Sequence, residues 1–182
     1  IADLGVPLPG SVIGPISGLP EETHGQFRAY SDAYMLRTDP DEEKVRAAMA
    51  FVDEFDTMAR ERIRERRASS DRPDDLLTGL IECTDEHGRP LSENKILVHL
   101  TKDIVVGGTE TTTHLIGNMF ASILAQPGMY ERLRADRSLV PAAVEETLRL
   151  TGPVQLLFRV PREDTEIAGC PVTKGSTVAL GY

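Results

Sequence analysis

Asp103-Ile104-Val105-Val106-Gly107-Gly108-Thr109-Glu110-Thr111-Thr112-Thr113 lies inside the longest helical pattern of the chain, which runs from about Ser92 to Gln126. Apolar residues recur there at Ile96, Leu97, Leu100, Ile104, Val105, Leu115, Ile116, Met119 and Ile123, close to the helical period. The middle of the pattern nevertheless consists of poor helix formers. Gly107 and Gly108 each cost about 1 kcal/mol relative to alanine, and threonines lose rotamer freedom in a helix. Glycine lets something flat or small approach the backbone. A threonine hydroxyl can take the carbonyl four residues back, which loosens the ladder and leaves a polar notch. Glu110 places an ionisable group beside that notch. The same features fit a buried helix whose glycines serve helix–helix packing, and the spacing leaves both readings open.

Composition narrows the classes. A chain of 182 residues, 40% hydrophobic and 27% charged, is ordinary for a globular protein with a real core. A net charge of −9 argues against nucleic acid or an anionic membrane surface as the main partner. No apolar run approaches the ~20 residues that span a bilayer, and no signal peptide is visible in the sequence, which begins at Ile1 without a methionine. Cys83 and Cys170 stand far apart without metal-type spacing, which predicts a reducing, cytoplasmic setting.

Upstream of the long pattern, Ser11 reads as an N-cap, with Pro15 near a first turn. Leu19-Pro20-Glu21-Glu22 starts a helix with Phe27, Tyr30 and Tyr34 on its apolar side. Thr38-Asp39-Pro40-Asp41 caps the next helix, which runs to about Ala68 with a stripe of Val45, Met49, Val52, Phe55, Ala59 and Ile63. The charge run Glu61, Arg62, Arg64, Glu65, Arg66, Arg67 reads as its solvated face. Asp74 to Ile81 forms a short helix. Asp85-Glu86-His87-Gly88 reads as a polar turn with Gly88 at positive φ rather than as a metal site, and Cys83 as a small, partly buried residue. His99 and His114 have no i,i+4 histidine partner of the zinc type and are read as structural.

Downstream, Pro127-Gly128 ends the long helix, Met129 to Asp136 supplies a short one, and Pro141 opens another at its first turn. That helix carries Glu145-Glu146-Thr147-Leu148-Arg149, and the three-residue spacing brings Glu146 and Arg149 onto one face. Thr151-Gly152-Pro153-Val154-Gln155-Leu156-Leu157-Phe158-Arg159 follows. Asp164 to Gly169 and Gly175 to Leu180 then read as strands joined by a turn around Thr173-Lys174-Gly175.

Gly107-Gly108-Thr109-Glu110-Thr111-Thr112 fits the pattern Ala/Gly-Gly-x-Asp/Glu-Thr-Thr/Ser of the central helix of the cytochrome P-450 family, the haem-thiolate monooxygenases. Glu146-x-x-Arg149 resembles the family's K-helix pair, and Arg159 matches the arginine of the segment after it. With order and spacing matched, the chain is identified as a member of that family, most closely over residues 74–182, of the soluble bacterial type. The family's Phe-x-x-Gly-x-x-x-Cys-x-Gly segment is missing. Cys170, in Ile167-Ala168-Gly169-Cys170-Pro171, lacks its flanking pattern, so no metal ligand is assigned and the chain reads as a central piece of the enzyme.

The resemblance implies a mainly α fold with a small β hairpin, part of the P-450 fold. It forms a single partial domain over 1–182, helical over 1–150 and strand-rich over 151–182. It implies haem b (heme) iron, O2, and electrons from NAD(P)H through a ferredoxin or flavoprotein reductase, used to oxidise an apolar small molecule. Glu110 and Thr111 would be catalytic, the one feeding protons for O–O cleavage and the other bonding the oxygen being activated. Gly107, Gly108, Thr111, Thr112, Pro153 and Arg159 would contact the cofactor, Arg159 gripping a propionate through paired charge-assisted hydrogen bonds. Val106, Val154, Gln155 and Leu157 would line the substrate pocket, and Glu146 with Arg149 would form a buried structural pair. The rival reading is a non-catalytic helical interaction domain, its notch serving only to pack helices.

Overall fold

Eight α-helices and four short strands order the computed structural model, which describes residues 2–182. Helix α1 (Pro7–Ser17) is followed by a 3-10 turn (Glu21–Gln26) that runs into α2 (Phe27–Met35). Next come α3 (Glu42–Ala68) and α4 (Leu76–Glu82). The long pattern is one continuous helical run in three parts: α5 (Glu93–Val98), a π-helical stretch His99–Val106, and α6 (Gly107–Leu124). After it come α7 (Met129–Ala135), α8 (Val140–Thr151), β1 (Leu156–Arg159), β2 (Thr165–Ile167), β3 (Cys170–Val172) and β4 (Val178–Gly181). Contacts gather these elements into two units, one ending at His114 and the other covering Leu115–Tyr182.

The first unit is built on the α3 stripe. Asp41 caps α3 by accepting from the Glu43 and Lys44 amides at 3.0 and 3.2 Å, and Glu42 and Glu43 sit in the first turn where the helix dipole favours acids. Val52, Phe55, Ala59 and Ile63 are buried against Phe27 and Tyr30 of α2, Leu77 of α4, and Ile96, Leu97 and Leu100. Phe27 meets Phe55 edge-on at 6.1 Å, and Tyr30 lies 4.3 Å from the same ring. Each fully buried side chain of this size contributes about 1.5–3 kcal/mol.

Four local expectations are corrected here. Helix α1 begins at Pro7, four residues before Ser11, because a proline at the first helical position has its φ pre-set. Ser11 is therefore interior, its hydroxyl donating to the Leu8 carbonyl at 2.8 Å, and Pro15 lies inside the helix. Gly18 ends it at φ 80°, where a Cβ would lie 2.7 Å from the Leu77 Cβ, so α4 reaches α1 only because residue 18 is glycine. The charge run of α3 is not wholly solvated, since Arg66 is buried and paired with Asp75, the N-cap of α4. Cys83 follows α4 in extended backbone and is exposed, not partly buried. The Asp85 turn forms as expected: Gly88 has φ 72°, and Asp85 Oδ1 accepts from the His87 and Arg89 amides.

In the second unit, Ile123 of α6, Leu133 of α7 and Thr147 of α8 are the buried side chains, and Gly128 makes the turn into α7 at φ 76°. Asn118 Nδ2 donates to the Thr151 carbonyl at 2.6 Å, tying α6 to the end of α8. The strand pairing differs from expectation. The hairpin is β2–β3, closed by Ala168 and Gly169, which both take positive φ (50° and 83°), the requirement of a two-residue turn that suits the strand twist. Gly175 does make a turn with Thr173, but it leads into β4, which pairs antiparallel with β1 from Leu156↔Gly181 to Arg159↔Val178. The long-range partner won over the neighbour in sequence.

Candidate functional site

The notch of the first unit begins where the helix changes register. Over His99–Val106 the run is π-helical, and the Gly107 N–H bonds the Lys102 carbonyl five residues back together with that of Ile104. Such stretches are rare and are frequently found at functional sites. The sequence prepares this one: Ile104, Val105 and Val106 are β-branched, and two glycines follow. The threonines act as expected. Thr101, Thr109 and Thr113 donate to the carbonyls of Leu97, Val105 and Thr109 at 2.9, 2.7 and 2.8 Å, and Thr111 donates to that of Gly107.

The residues of the notch separate by environment. Val106 belongs to the hydrophobic core, only 7% exposed. At Gly108 an added Cβ would lie 2.5 Å from Ile13 Cδ1, the movable end of a side chain of α1, so the glycine packs closely on α1. At Gly107, by contrast, the nearest atom to such a Cβ is the Lys102 carbonyl oxygen at 3.9 Å, and the residue is exposed. Thr109 is buried and shares a 2.8 Å hydrogen bond with Ser31 of α2. Thr111 is half-buried and Thr112 exposed. Glu110 Oε2 is buried and has no hydrogen-bond partner among the described residues. An unsatisfied buried carboxylate oxygen is unfavourable by at least about 1–3 kcal/mol, and such atoms in folded proteins call for an explanation, a catalytic role among them.

One cluster escaped the sequence reading. Lys102, in the π-helical stretch, reaches Asp56 of α3 at 2.9 and 3.0 Å and also the Tyr30 hydroxyl. Its ammonium lies 4.7 Å from the ring centres of both Tyr30 and Tyr34. Tyr30 in turn donates to Asp56 Oδ1 at 2.6 Å. Burial first, and the bond to Asp56 second, raise the Tyr30 phenol well above its ordinary range. Tyr30 and Tyr34 share a helix face in the sequence, but nothing local announces a lysine 72 residues on.

The remaining expected site residues fall in the second unit. Arg149 donates to both oxygens of Glu146 at 2.7 Å, a fork-to-carboxylate pair three residues apart. The Arg149 hydrogen bond holds the Glu146 carboxyl below the usual range against the opposing effect of burial, and the same bond raises Arg149. In this stretch the pair is exposed, with 66% and 54% of the two side chains accessible, where the resemblance implies burial. The buried position of α8 is Thr147, with Ala143 and Val144 half-buried. Pro153 is half-buried, while Val154, Gln155, Leu157 and Arg159 are exposed. Gln155 accepts from the Tyr182 amide at 3.1 Å, and Arg159 donates to the Phe158 carbonyl at 2.9 Å.

A mainly helical chain with a π-distorted central helix, a Gly-Gly-Thr-Glu-Thr-Thr notch and a Glu-x-x-Arg pair defines a class. The cytochrome P450 family model matches residues 21–181, and the chain belongs to that family. It is 37% identical to the putative cytochrome P450 YjiB of Bacillus subtilis (strain 168), over 98% of this chain and 45% of that protein. It is 34% identical to the cytochrome P450 monooxygenase PikC of Streptomyces venezuelae, over 96% of this chain and 40% of that one. The ligand-free structure of cytochrome P450 TbtJ1 superposes with a TM-score of 0.82 at 35% identity, over 97% of this chain and 46% of that chain. The chain thus spans less than half the length of the relatives it matches.

The residues present fit one side of a haem site. The bare Gly107 backbone, the half-buried Thr111 and the unpartnered Glu110 oxygen lie within five residues of each other on one helix. The two cysteines do not fit the role of axial ligand. Both are exposed, Cys83 after α4 and Cys170 in a three-residue strand beside Pro171. Among the described residues no helix is long and apolar enough to cross a membrane.

Proposed function

We propose that the protein carrying this chain is a haem-thiolate monooxygenase that oxidises an apolar organic substrate, and that Glu110 and Thr111 handle its protons. The observation that carries this is the buried, unpartnered Glu110 Oε2 one residue from the Thr111 hydroxyl. Haem b with a cysteine thiolate, when bound, supplies the activation of O2. The chain's own residues position that chemistry. Gly107 leaves backbone accessible to a flat ligand. The Thr111 hydroxyl, donating to the Gly107 carbonyl, keeps a lone pair able to accept a proton from a neighbour. Glu110, the next residue, offers a buried carboxyl oxygen that has no hydrogen-bond partner among the described residues. Thr112 and Pro153 are proposed cofactor contacts, and Arg159 a propionate partner suited by its planar fork. Val154, Gln155 and Leu157 are proposed substrate contacts. Gly108 is likewise a proposed cofactor contact, while Val106 lies in the hydrophobic core and is given no direct role. Electrons from NAD(P)H arrive through a ferredoxin or flavoprotein reductase, in a reducing cytoplasm that suits two free cysteines.

The test is the carbon monoxide difference spectrum of the reduced complete protein. A thiolate-type Soret band that survives Cys83→Ser and Cys170→Ser is expected. Absence of the band sinks the monooxygenase reading, and its loss in either variant overturns the exclusion of that cysteine as axial ligand.

A further inference from the structure

We propose that Lys102 is a positioning residue: clamped on Asp56 and Tyr30, it holds the π-helical register of His99–Val106 and thereby the angular placement of Glu110 and Thr111. The inference rests on the function proposed above and adds to it the device that orients the notch.

The helical run is pinned at two points. Lys102 is tied to Asp56 at 2.9 and 3.0 Å, and to Tyr30, while seven residues on Thr109 is tied to Ser31 at 2.8 Å. Tyr30 and Ser31 are neighbours on α2, so both anchors are referred to one rigid element. Between the anchors the Gly107 N–H bonds the Lys102 carbonyl, five residues back. A relaxed α-helix would send that N–H to Asp103 instead. Shortening the register by one residue turns everything after it by about 100° relative to everything before it. Such a turn either pulls the Lys102 ammonium off Asp56 or tears Thr109 from Ser31. With both held, the extra residue cannot be expelled. The clamp also reaches the notch through a continuous series of bonds: Asp56 to the Lys102 ammonium, the Lys102 carbonyl to the Gly107 N–H, and the Gly107 carbonyl to the Thr111 hydroxyl. Lys102, Asp56, Tyr30 and Ser31 lie outside the notch, and Thr109 is the notch residue they anchor.

The test uses the complete protein with Lys102→Met, the charge-free pair Lys102→Met/Asp56→Leu, and Lys102→Arg. Lys102 and Asp56 are mostly shielded, 16% and 19% accessible, and replacing both members of such an ion pair by apolar residues is often neutral for stability, so the double variant separates register from folding. Amide exchange of residues 102–111 is expected to quicken by about tenfold or more in both Met variants and to return near wild type in Lys102→Arg. The fraction of reducing equivalents lost to hydrogen peroxide is expected to rise severalfold with haem content unchanged. Ser31→Ala, which releases the other anchor, should do the same. Unchanged exchange in the double variant overturns the clamp, whatever the activity. Faster exchange with unchanged peroxide leakage overturns the positioning role while leaving the monooxygenase reading intact. A wild-type protein that binds no haem sinks that reading instead, and the exchange measurement still judges the clamp.

Discussion

Arg66 and Asp75 close on one another through a single nitrogen, Arg66 Nη1 reaching the two carboxylate oxygens at 2.9 and 2.7 Å with only 5% and 10% of the side chains accessible. Nη1 also donates to the Thr78 hydroxyl at 2.6 Å, and Asp75 Oδ1 accepts from the Thr78 amide at 2.8 Å, so one carboxylate joins α3 to the start of α4. Burial pushes the Asp75 carboxyl up, but the Thr78 amide, the Arg66 guanidinium and the Thr78 hydroxyl outweigh it and hold the group below its ordinary range. A folded value below the unfolded one contributes stability above the ordinary aspartate range of about 3.9, and loses it as pH falls through the folded value. Asp75→Asn, which strands the buried guanidinium, should cost about 3–5 kcal/mol near neutral pH. Urea melts across acid pH should show the wild type losing its advantage over the variant as Asp75 protonates. A gap that stays constant down to the acid limit would assign the effect to packing.

Gly107 and Gly108 should respond in opposite ways. A Cβ at residue 107 meets nothing closer than 3.9 Å, so Gly107→Ala should raise helix stability by up to about 1 kcal/mol. Gly108→Val drives branched carbons into Ile13, whose Cδ1 lies 2.5 Å from the Cβ position alone, and overpacking of this kind costs about 1–3 kcal/mol. Thermal melts of the two variants check the order. If Gly107→Ala stabilises the fold yet lowers haem affinity in the complete protein, the glycine is kept for its ligand. Equal haem affinity would remove Gly107 from the site.

Thr111→Ala removes the hydroxyl that caps the Gly107 carbonyl and leaves Thr109 and Thr113, the buried threonines, in place. Haem binding should persist while reducing equivalents drain to peroxide instead of product. The check is the ratio of NAD(P)H consumed to product formed, and a ratio equal to wild type would remove Thr111 from proton handling.

The exposed Glu146–Arg149 pair supports two different expectations in two settings. In this stretch by itself, with both side chains more than half accessible, Arg149→Ala should leave the melting of α8 nearly unchanged, because exposed pairs are solvent-screened. In the complete protein, burial of the pair as the family resemblance implies would make the same change reduce the yield of soluble, haem-loaded protein. Comparing absorbance-based haem yield with and without the substitution checks the second expectation, and normal yield would mean that the pair stays at the surface.

What the sequence determined by itself is what short-range chemistry controls. Asp41 starts α3 and Ser92 starts α5 because each side chain meets amides two or three residues on. Pro141 sits in the first turn of α8, and Gly88 makes its turn. The α3 stripe was legible because period and burial coincide. The notch was legible as a disturbed helix, since glycines and threonines disfavour a regular ladder wherever they are placed. Only the tertiary structure decided which disturbance resulted. The two contacts proposed above to hold the π stretch are Lys102 meeting Asp56, 46 residues away, and Thr109 meeting Ser31, 78 residues away. The same holds for Arg66, one arginine of a charged run until α4 presents Asp75. It holds for Gly108, whose neighbour Ile13 comes from α1, and for β4, which passes over its nearest strand to pair with β1. Each of these outcomes depends on a partner that local pattern cannot supply, because desolvating a charge or pairing a strand edge becomes favourable only once a distant segment is already in place.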